Sequence, residues 1–222
     1  MVYGDVVRGT FLDRPNRFIA HVRIGDKEET VHVKNTGRCR ELLWRGAEVW
    51  LNRAERSERK TAFDLIAVRK SNGLLVNIDS QAPNRVMEEW LAGQSFSRVQ
   101  REVIFGKSRL DFFLEKGTEK TFLEVKGCTL EKDGIGYFPD APSIRAVKHL
   151  RELTAAVEEG FGAAVGFVIQ MDSVTQVYPN NETHPAFGEA LTEAKSRGVR
   201  ILRFPCHVEP NRLEITDCLA DD

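Results

Sequence analysis

Ser108-Arg109-Leu110-Asp111-Phe112-Phe113-Leu114, a polar turn, then Thr121-Phe122-Leu123-Glu124-Val125-Lys126 is the stretch whose reading decides the fold. Two apolar-rich arms around a short charged segment containing Gly117 read as a β-hairpin. Side chains at i and i+2 of a strand share a face, so Glu124 and Lys126 project together while Val125 turns away. If Asp111, at the head of the first arm, sits across from Glu124, two carboxylates meet with an ammonium beside them. That set suits Mg²⁺ or Mn²⁺, hard cations commonly held by one or two carboxylates, waters and substrate phosphate. A metal there would polarise a phosphate and supply hydroxide from a bound water at neutral pH. Lys126 would position that water or offset charge developing on the phosphate. The same spacing also suits an exposed Glu–Lys pair on an edge strand with Asp111 in a turn, so the surroundings must decide.

Composition sets the bounds. A chain of 222 residues, 41% hydrophobic, accommodates one large or two small packed domains. No stretch approaches the roughly 20 apolar residues that span a bilayer, and the charged start of the chain lacks the apolar core of a signal peptide. A cytoplasmic protein without membrane contact is expected. Cys39, Cys128, Cys206 and Cys218 are scattered without Cys-x-x-Cys spacing, which argues for free thiols and against zinc. The net charge of −1 is unevenly spread: residues 1–80 hold 15 Lys and Arg against 11 Asp and Glu, and the remainder holds 17 against 22. A basic first third fits phosphate contact.

The pattern divides near residue 80. Before it, segments 6–11, 17–23, 29–33, 47–52, 63–69 and 73–78 read as short strands separated by Gly, Asn or Asp turns, with one helical turn over 39–44. So many strands in so short a span predict a small closed barrel over residues 1–82. After Ala82-Pro83-Asn84 the period becomes helical, with Asn84 as the expected N-cap. Strands at 99–105, 110–115 and 121–127 follow, then a helix over 143–159, a buried strand over 163–170, a helix over 184–197 and a strand over 199–204. Residues 83–222 are therefore expected to form an α/β domain around one central sheet.

A helix, an antiparallel meander carrying Asp and then Glu-x-Lys, and a crossover helix to a buried strand resemble the core of the restriction-endonuclease-like nucleases, the PD-(D/E)xK superfamily. Along the whole chain, Arg17-Phe18-Ile19-Ala20, Asn35-Thr36-Gly37, Pro83-Asn84, Ser108-Arg109-Leu110-Asp111-Phe112, Glu124-Val125-Lys126, Phe138-Pro139-Asp140-Ala141 and Lys148-His149-Leu150-Arg151-Glu152-Leu153 resemble the sugar fermentation stimulation protein A (SfsA) family. The resemblance implies an N-terminal OB-fold-like barrel, a C-terminal restriction-endonuclease-like domain, and DNA binding. Family likeness leaves enzymatic activity open.

Other polar residues are candidates beside the hairpin. Glu89 lies on the helix that superfamily members often use to bring a further carboxylate to the metal, and Glu88 points about 100° away. Arg145 and His149 share a helix face, and with Lys148 they are expected at phosphate or in a structural role. Gln170 closes the buried strand, either as an active-site polar group or as a strand end meeting water. In the barrel, Arg17, Asn35, Thr36, Arg38 and Arg40 fall near loops or strand ends and are the DNA-binding candidates, together with a basic segment of Arg53, Arg56, Arg59 and Lys60. Of the aromatics Phe18, Trp44, Trp50 and Phe63, most are expected to fill the barrel. His21, His32, His184 and His207 read as surface or packing residues. Two functions follow: a metal-dependent nuclease using Asp111, Glu124 and Lys126, or a DNA-binding regulator of sugar metabolism genes that keeps the scaffold without cleavage.

Overall fold

The computed structural model describes residues 1–35, 37, 39–54 and 60–221. Its first unit contains β1 (Val6–Asn16), β2 (Ile19–Ile24), β3 (Lys27–Val33), β4 (Glu48–Arg53), β5 (Phe63–Arg69) and β6 (Leu75–Asn77). The strands are ordered β3-β2-β1-β4-β5-β6, and β3 also pairs with β5 through His32–Asp64 and Val33–Leu65. That pairing closes a five-stranded barrel of OB type. Alternation does the sorting: Ala20 and Val22 on β2, and Val31 and Val33 on β3, fill the interior while their neighbours face outward. β5 instead reads as a continuous apolar run because both its faces are covered. Leu65 and Val68 belong to the barrel core, Ile66 and Ala67 to the core beneath the second unit. The helical turn expected over 39–44 is present, with Leu43 N–H donating to the Cys39 carbonyl at 2.8 Å.

The second unit opens with α1 (Ala82–Ala92) and the meander β7 (Arg98–Phe105), β8 (Ser108–Lys116) and β9 (Glu119–Cys128). β10 (Leu130–Lys132), β11 (Ile135–Phe138), α2 (Ile144–Glu158), β12 (Gly162–Ile169), β13 (Val177–Pro179) and α3 (Pro185–Ser196) come next. β14 (Arg200–Glu209), β15 (Arg212–Ile215) and β16 (Leu219–Ala220) finish the chain. The main sheet runs β15-β14-β12-β9-β8-β7, with β16 on β14, and β12 is parallel to both β9 and β14. α1 packs on one face through Val86, Met87 and Leu91; α2 and α3 cover the other through residues such as Leu150, Leu153 and Phe187. The small sheet β10-β11-β13 and the last two strands were not expected, being too short to carry a period of two. Asn84 is not the N-cap of α1: Gln81 holds that position and Pro83 occupies the first turn, where its missing N–H has no cost.

A buried polar network joins the two units. Asp79, fully buried, accepts from Gln81 N–H at 2.9 Å and from Tyr3 Oη and Lys34 Nζ at 3.3 Å each. The Gln170 amide donates to the Asn77 carbonyl and Oδ1 at 3.0 Å and to the Asp79 carbonyl at 3.1 Å. Gln170 is therefore a buried junction residue and not a strand end in water, because its amide donates to acceptors arriving from the barrel. Gly127 lies under this junction: a Cβ there would come within 2.3 Å of Gln170 Oε1 and 2.7 Å of Pro83 Cγ. Gly127→Ala is expected to destabilise the protein by about 1–3 kcal/mol through overpacking, which a urea melt would read as a lower midpoint with unchanged slope.

Candidate active site

The β8–β9 ladder runs from Lys116–Glu119 up to Phe112–Leu123 and stops there. At the next position the side chains take over from the main chain. Asp111 N–H donates to Glu124 Oε2 at 3.3 Å, and Val125 N–H donates to Asp111 Oδ2 at 2.8 Å. The other edge of β8 is broken at the same residue. The β7–β8 pairing passes from Arg101–Phe112 to Val103–Leu110, skipping Glu102 opposite Asp111, and Glu102 adopts a left-handed φ of 54°. A non-glycine residue in that region stores strain, which characteristically gathers at functional sites. Leu110 packs in the core under α2 whereas Phe112 and Leu114 pack under α1. In an unbroken strand these alternate residues would share a face, so β8 turns over at Asp111 and frees its carboxylate.

Three elements converge on the two carboxylates. From α1, Asn84 Nδ2 donates to Asp111 Oδ1 at 2.8 Å. From β9, Lys126 Nζ pairs with Glu124 Oε1 at 2.5 Å. From α2, His149 Nδ1 contacts the same oxygen. Arg145 Nε donates to His149 Nε2 at 3.3 Å, so Nε2 is the accepting nitrogen and Nδ1 carries the proton given to Glu124. Burial is the largest influence on both acids and acts to raise them. For Asp111 the neighbouring Glu124 charge adds to it and its pKa lies above the ordinary carboxylate value. For Glu124 the hydrogen bond from His149 and the charge of Lys126 outweigh it, and its pKa lies below.

With both acids ionised, two negative charges face the Lys126 ammonium. An all-oxygen donor pair of this kind fits a hard divalent cation held by Asp111 and Glu124. Among the described residues no group of three or more His, Cys, Asp and Glu side chains forms a metal-binding cluster, so further ligands would come from main chain, water or substrate.

The remaining candidates separate. Glu89 does not approach the carboxylates: it pairs with the Met1 ammonium at 2.5 Å, because it lies roughly 140° around α1 from Asn84. Glu88, about 40° from Asn84, is the acid on the site's side of the helix, and it is paired with Arg101 at 2.7 Å. His149 is buried, so of its two expected roles it takes the structural one, a buried donor that holds Glu124, and not the place at phosphate. Lys148 is exposed but donates to the Lys107 carbonyl in the β7–β8 turn at 2.5 Å. Arg145 is exposed at the start of α2.

In the barrel, the Arg14 guanidinium gathers the loop ends, donating to the carbonyls of Gly37, Arg17 and Asn35 at 2.9, 2.8 and 2.6 Å. Asn35 Oδ1 accepts from Gly37 N–H at 2.7 Å, the turn chemistry its type favours. Gly37 lies directly on Asp140, whose Oδ2 would sit 2.0 Å from an added Cβ, so this turn docks on the loop that leads into α2. Arg17 and Arg40 are exposed; Thr36, Arg38, Arg56 and Arg59 lie outside the described residues. The sequence pattern alone does not mark the roles of Asn84 and Arg14: an asparagine at the start of a helix suits a cap equally well, and an arginine near a turn is ordinary.

The four thiols are free, and burial pushes Cys39, Cys128 and Cys206 up to about 12. Among the described residues no helix is long and apolar enough to cross a membrane.

Known proteins resemble the chain throughout. The family model of the SfsA N-terminal OB domain matches residues 12–78, and that of the sugar fermentation stimulation protein RE domain matches residues 81–212. A sugar fermentation stimulation protein homolog of Desulfitobacterium hafniense (strain DSM 10664 / DCB-2) is 51% identical over 220 residues, covering 98% of this chain and 96% of that protein. Another, from Ruminiclostridium cellulolyticum, is 47% identical over 219 residues, with 97% and 96% covered. Among solved structures, Pyrococcus furiosus SfsA in complex with Ca²⁺ superposes with a TM-score of 0.84 at 26% identity, covering 99% of this chain and 95% of that one.

Proposed function

The chain belongs to the sugar fermentation stimulation protein family, and we propose that it binds DNA and hydrolyses phosphodiester bonds at Asp111, Glu124 and Lys126 with Mg²⁺ or Mn²⁺ as cofactor. The observation that carries this reading is the double break in β8, where two carboxylates replace main-chain partners beside a lysine. The Ca²⁺ bound by the Pyrococcus furiosus relative supports it, since Ca²⁺ is a hard cation with the same oxygen preference.

A cation held by Asp111 and Glu124 would polarise the phosphate and lower the pKa of a bound water. Asn84 and His149 keep the two carboxylates in place. Lys126 orients the attacking water and offsets the charge growing on the phosphate. Arg145, at the exposed start of α2, contacts the DNA backbone together with Arg17 and Arg40 of the barrel; Asn35 and Lys148 belong to the same proposed surface. Plasmid, single-stranded and branched DNA incubated with Mg²⁺, Mn²⁺ or EDTA test the reading: cleavage confined to the metal lanes supports it, and intact DNA in every lane removes the nuclease.

One observation favours the second reading, a DNA-binding regulator without cleavage. Each carboxylate oxygen already has a protein donor, Asn84 and Val125 on Asp111, Lys126, His149 and the Asp111 N–H on Glu124, so the cluster holds together without metal. Uncleaved but tightly bound DNA would select it.

Both readings require a salt-dependent interface. Affinity for duplex DNA should fall with a slope of about −0.9 in log K against log salt for each phosphate neutralised. Arg17→Glu is expected to flatten that slope by at least one contact; an unchanged slope in a fluorescence-polarisation titration would take Arg17 out of the interface.

A further inference from the structure

Phe11 and Phe63 are buried in the barrel core and Trp50 in the core beneath the second unit, but Phe18 and Trp44 remain 47% and 45% exposed. Each exposed ring has an exposed arginine as a sequence neighbour. Arg17 stacks over Phe18 with its guanidinium carbon 5.0 Å from the ring centroid, and Arg45 follows Trp44. Ordinary packing does not account for two large rings kept in water, whereas a ring face with an adjacent cation is the unit that stacks a base and holds its phosphate.

The two rings lie on segments that hydrogen bonds join through β1. The segment carrying Trp44 is tied to β1 at both ends. Arg14, three residues before Arg17, binds the carbonyls of Asn35 and Gly37, and Phe11 exchanges main-chain hydrogen bonds with Gly46 and Ala47 at 2.8 Å each. Gly37 in turn packs on Asp140, in the loop that leads into α2. There Ile144 is 83% exposed, and the adjacent Arg145 reaches His149, which holds Glu124. Contacts thus connect the segments carrying the exposed rings, the arginines and Ile144 to the carboxylates, through Asp140 and the buried His149.

Resting on the DNA-binding reading, we infer that the substrate is DNA with an unpaired strand, whose bases stack on Phe18 and Trp44 while the strand runs toward Asp111 and Glu124. In a duplex the base faces are stacked on each other and cannot meet these rings, so blunt DNA engages only the arginines. Ile144 meets the strand next to the carboxylates as an apolar group that keeps bases apart.

The test is fluorescence polarisation in EDTA with one labelled sequence as single strand, blunt duplex, and duplex carrying a single-stranded arm. Single-stranded and armed DNA should bind roughly tenfold or more tightly than blunt duplex. Phe18→Ala and Trp44→Ala should each weaken them roughly five- to a hundredfold while changing duplex affinity less than about twofold. Trp44→Phe should retain most of the affinity, and circular dichroism checks that each variant is folded. Blunt duplex bound as tightly as single strand, or variants that weaken both equally, would overturn the inference while leaving DNA binding intact. Binding to none of the three would overturn both.

Discussion

Replacing Lys126 with Ala is expected to lower metal-dependent DNA cleavage by roughly 10²–10³-fold while leaving the affinity for DNA nearly unchanged. The ammonium sits 2.5 Å from Glu124 Oε1 on the same face of β9, so its charge acts where the phosphate reacts rather than along the DNA backbone. An interaction made mainly in the transition state lowers kcat and kcat/KM together. Lost cofactor would not explain the fall. Lys126 is the cation that now pairs with Glu124, so removing it leaves a more negative site whose Mn²⁺ affinity should hold or rise. Calorimetric titration with Mn²⁺ alongside single-turnover cleavage separates the two effects. Cleavage at wild-type rate in Lys126→Ala would exclude the lysine from the chemistry.

The parts of this site that the sequence displayed are those governed by strand geometry. Asp111, Glu124 and Lys126 follow from a period of two and a short hairpin, which together leave little choice of register. Helix contributions were hidden, because a helix's own period does not say how it is rotated on the sheet. Glu89, Glu88 and Asn84 all lie within two turns of α1, and only its docking sends Asn84 to Asp111 and Glu89 to the N-terminus. His149 shares a helix face with Arg145, which suits phosphate contact and a structural role alike, and α2 buries it against Glu124 through a contact 25 residues distant in sequence. Gln170 was obscure for a related reason, since its acceptors lie more than 90 residues away in the barrel. The barrel was legible from strand number and turns, but the β3–β5 pairing that closes it is a long-range event that no local pattern announces.

Asp111→Asn should act differently from Lys126→Ala. It removes a cofactor ligand and one negative charge at once, so cleavage should be lost while DNA affinity in EDTA holds or rises. Stability provides an independent reading. Burial and the Glu124 charge raise the folded-state pKa of Asp111. Between its unfolded value near 3.8 and that raised value, the folded state binds more protons than the unfolded one. This carboxyl's contribution to stability therefore declines as pH rises through that window and is least favourable above it. Glu124, depressed by His149 and Lys126 against its burial, contributes in the opposite sense: its stabilisation is present above its unfolded pKa and is lost as pH falls through the folded one. Comparing melting temperatures of wild type and Asp111→Asn across pH 3.5–7 without metal should isolate the Asp111 contribution as a decline that the variant lacks. The variant's curve will also carry a constant offset of about 1–3 kcal/mol if its amide leaves the Val125 N–H without an acceptor, which shifts the curve but not its slope. Mg²⁺ at a hundred times its Kd should stabilise the wild type by about 2.7 kcal/mol and the variant far less. If Asp111→Asn instead weakens DNA binding in EDTA while its melt shows a folded protein, the carboxylate organises a DNA-contacting surface. The two breaks in β8 would then serve recognition, and the scaffold without cleavage becomes the better account of this fold.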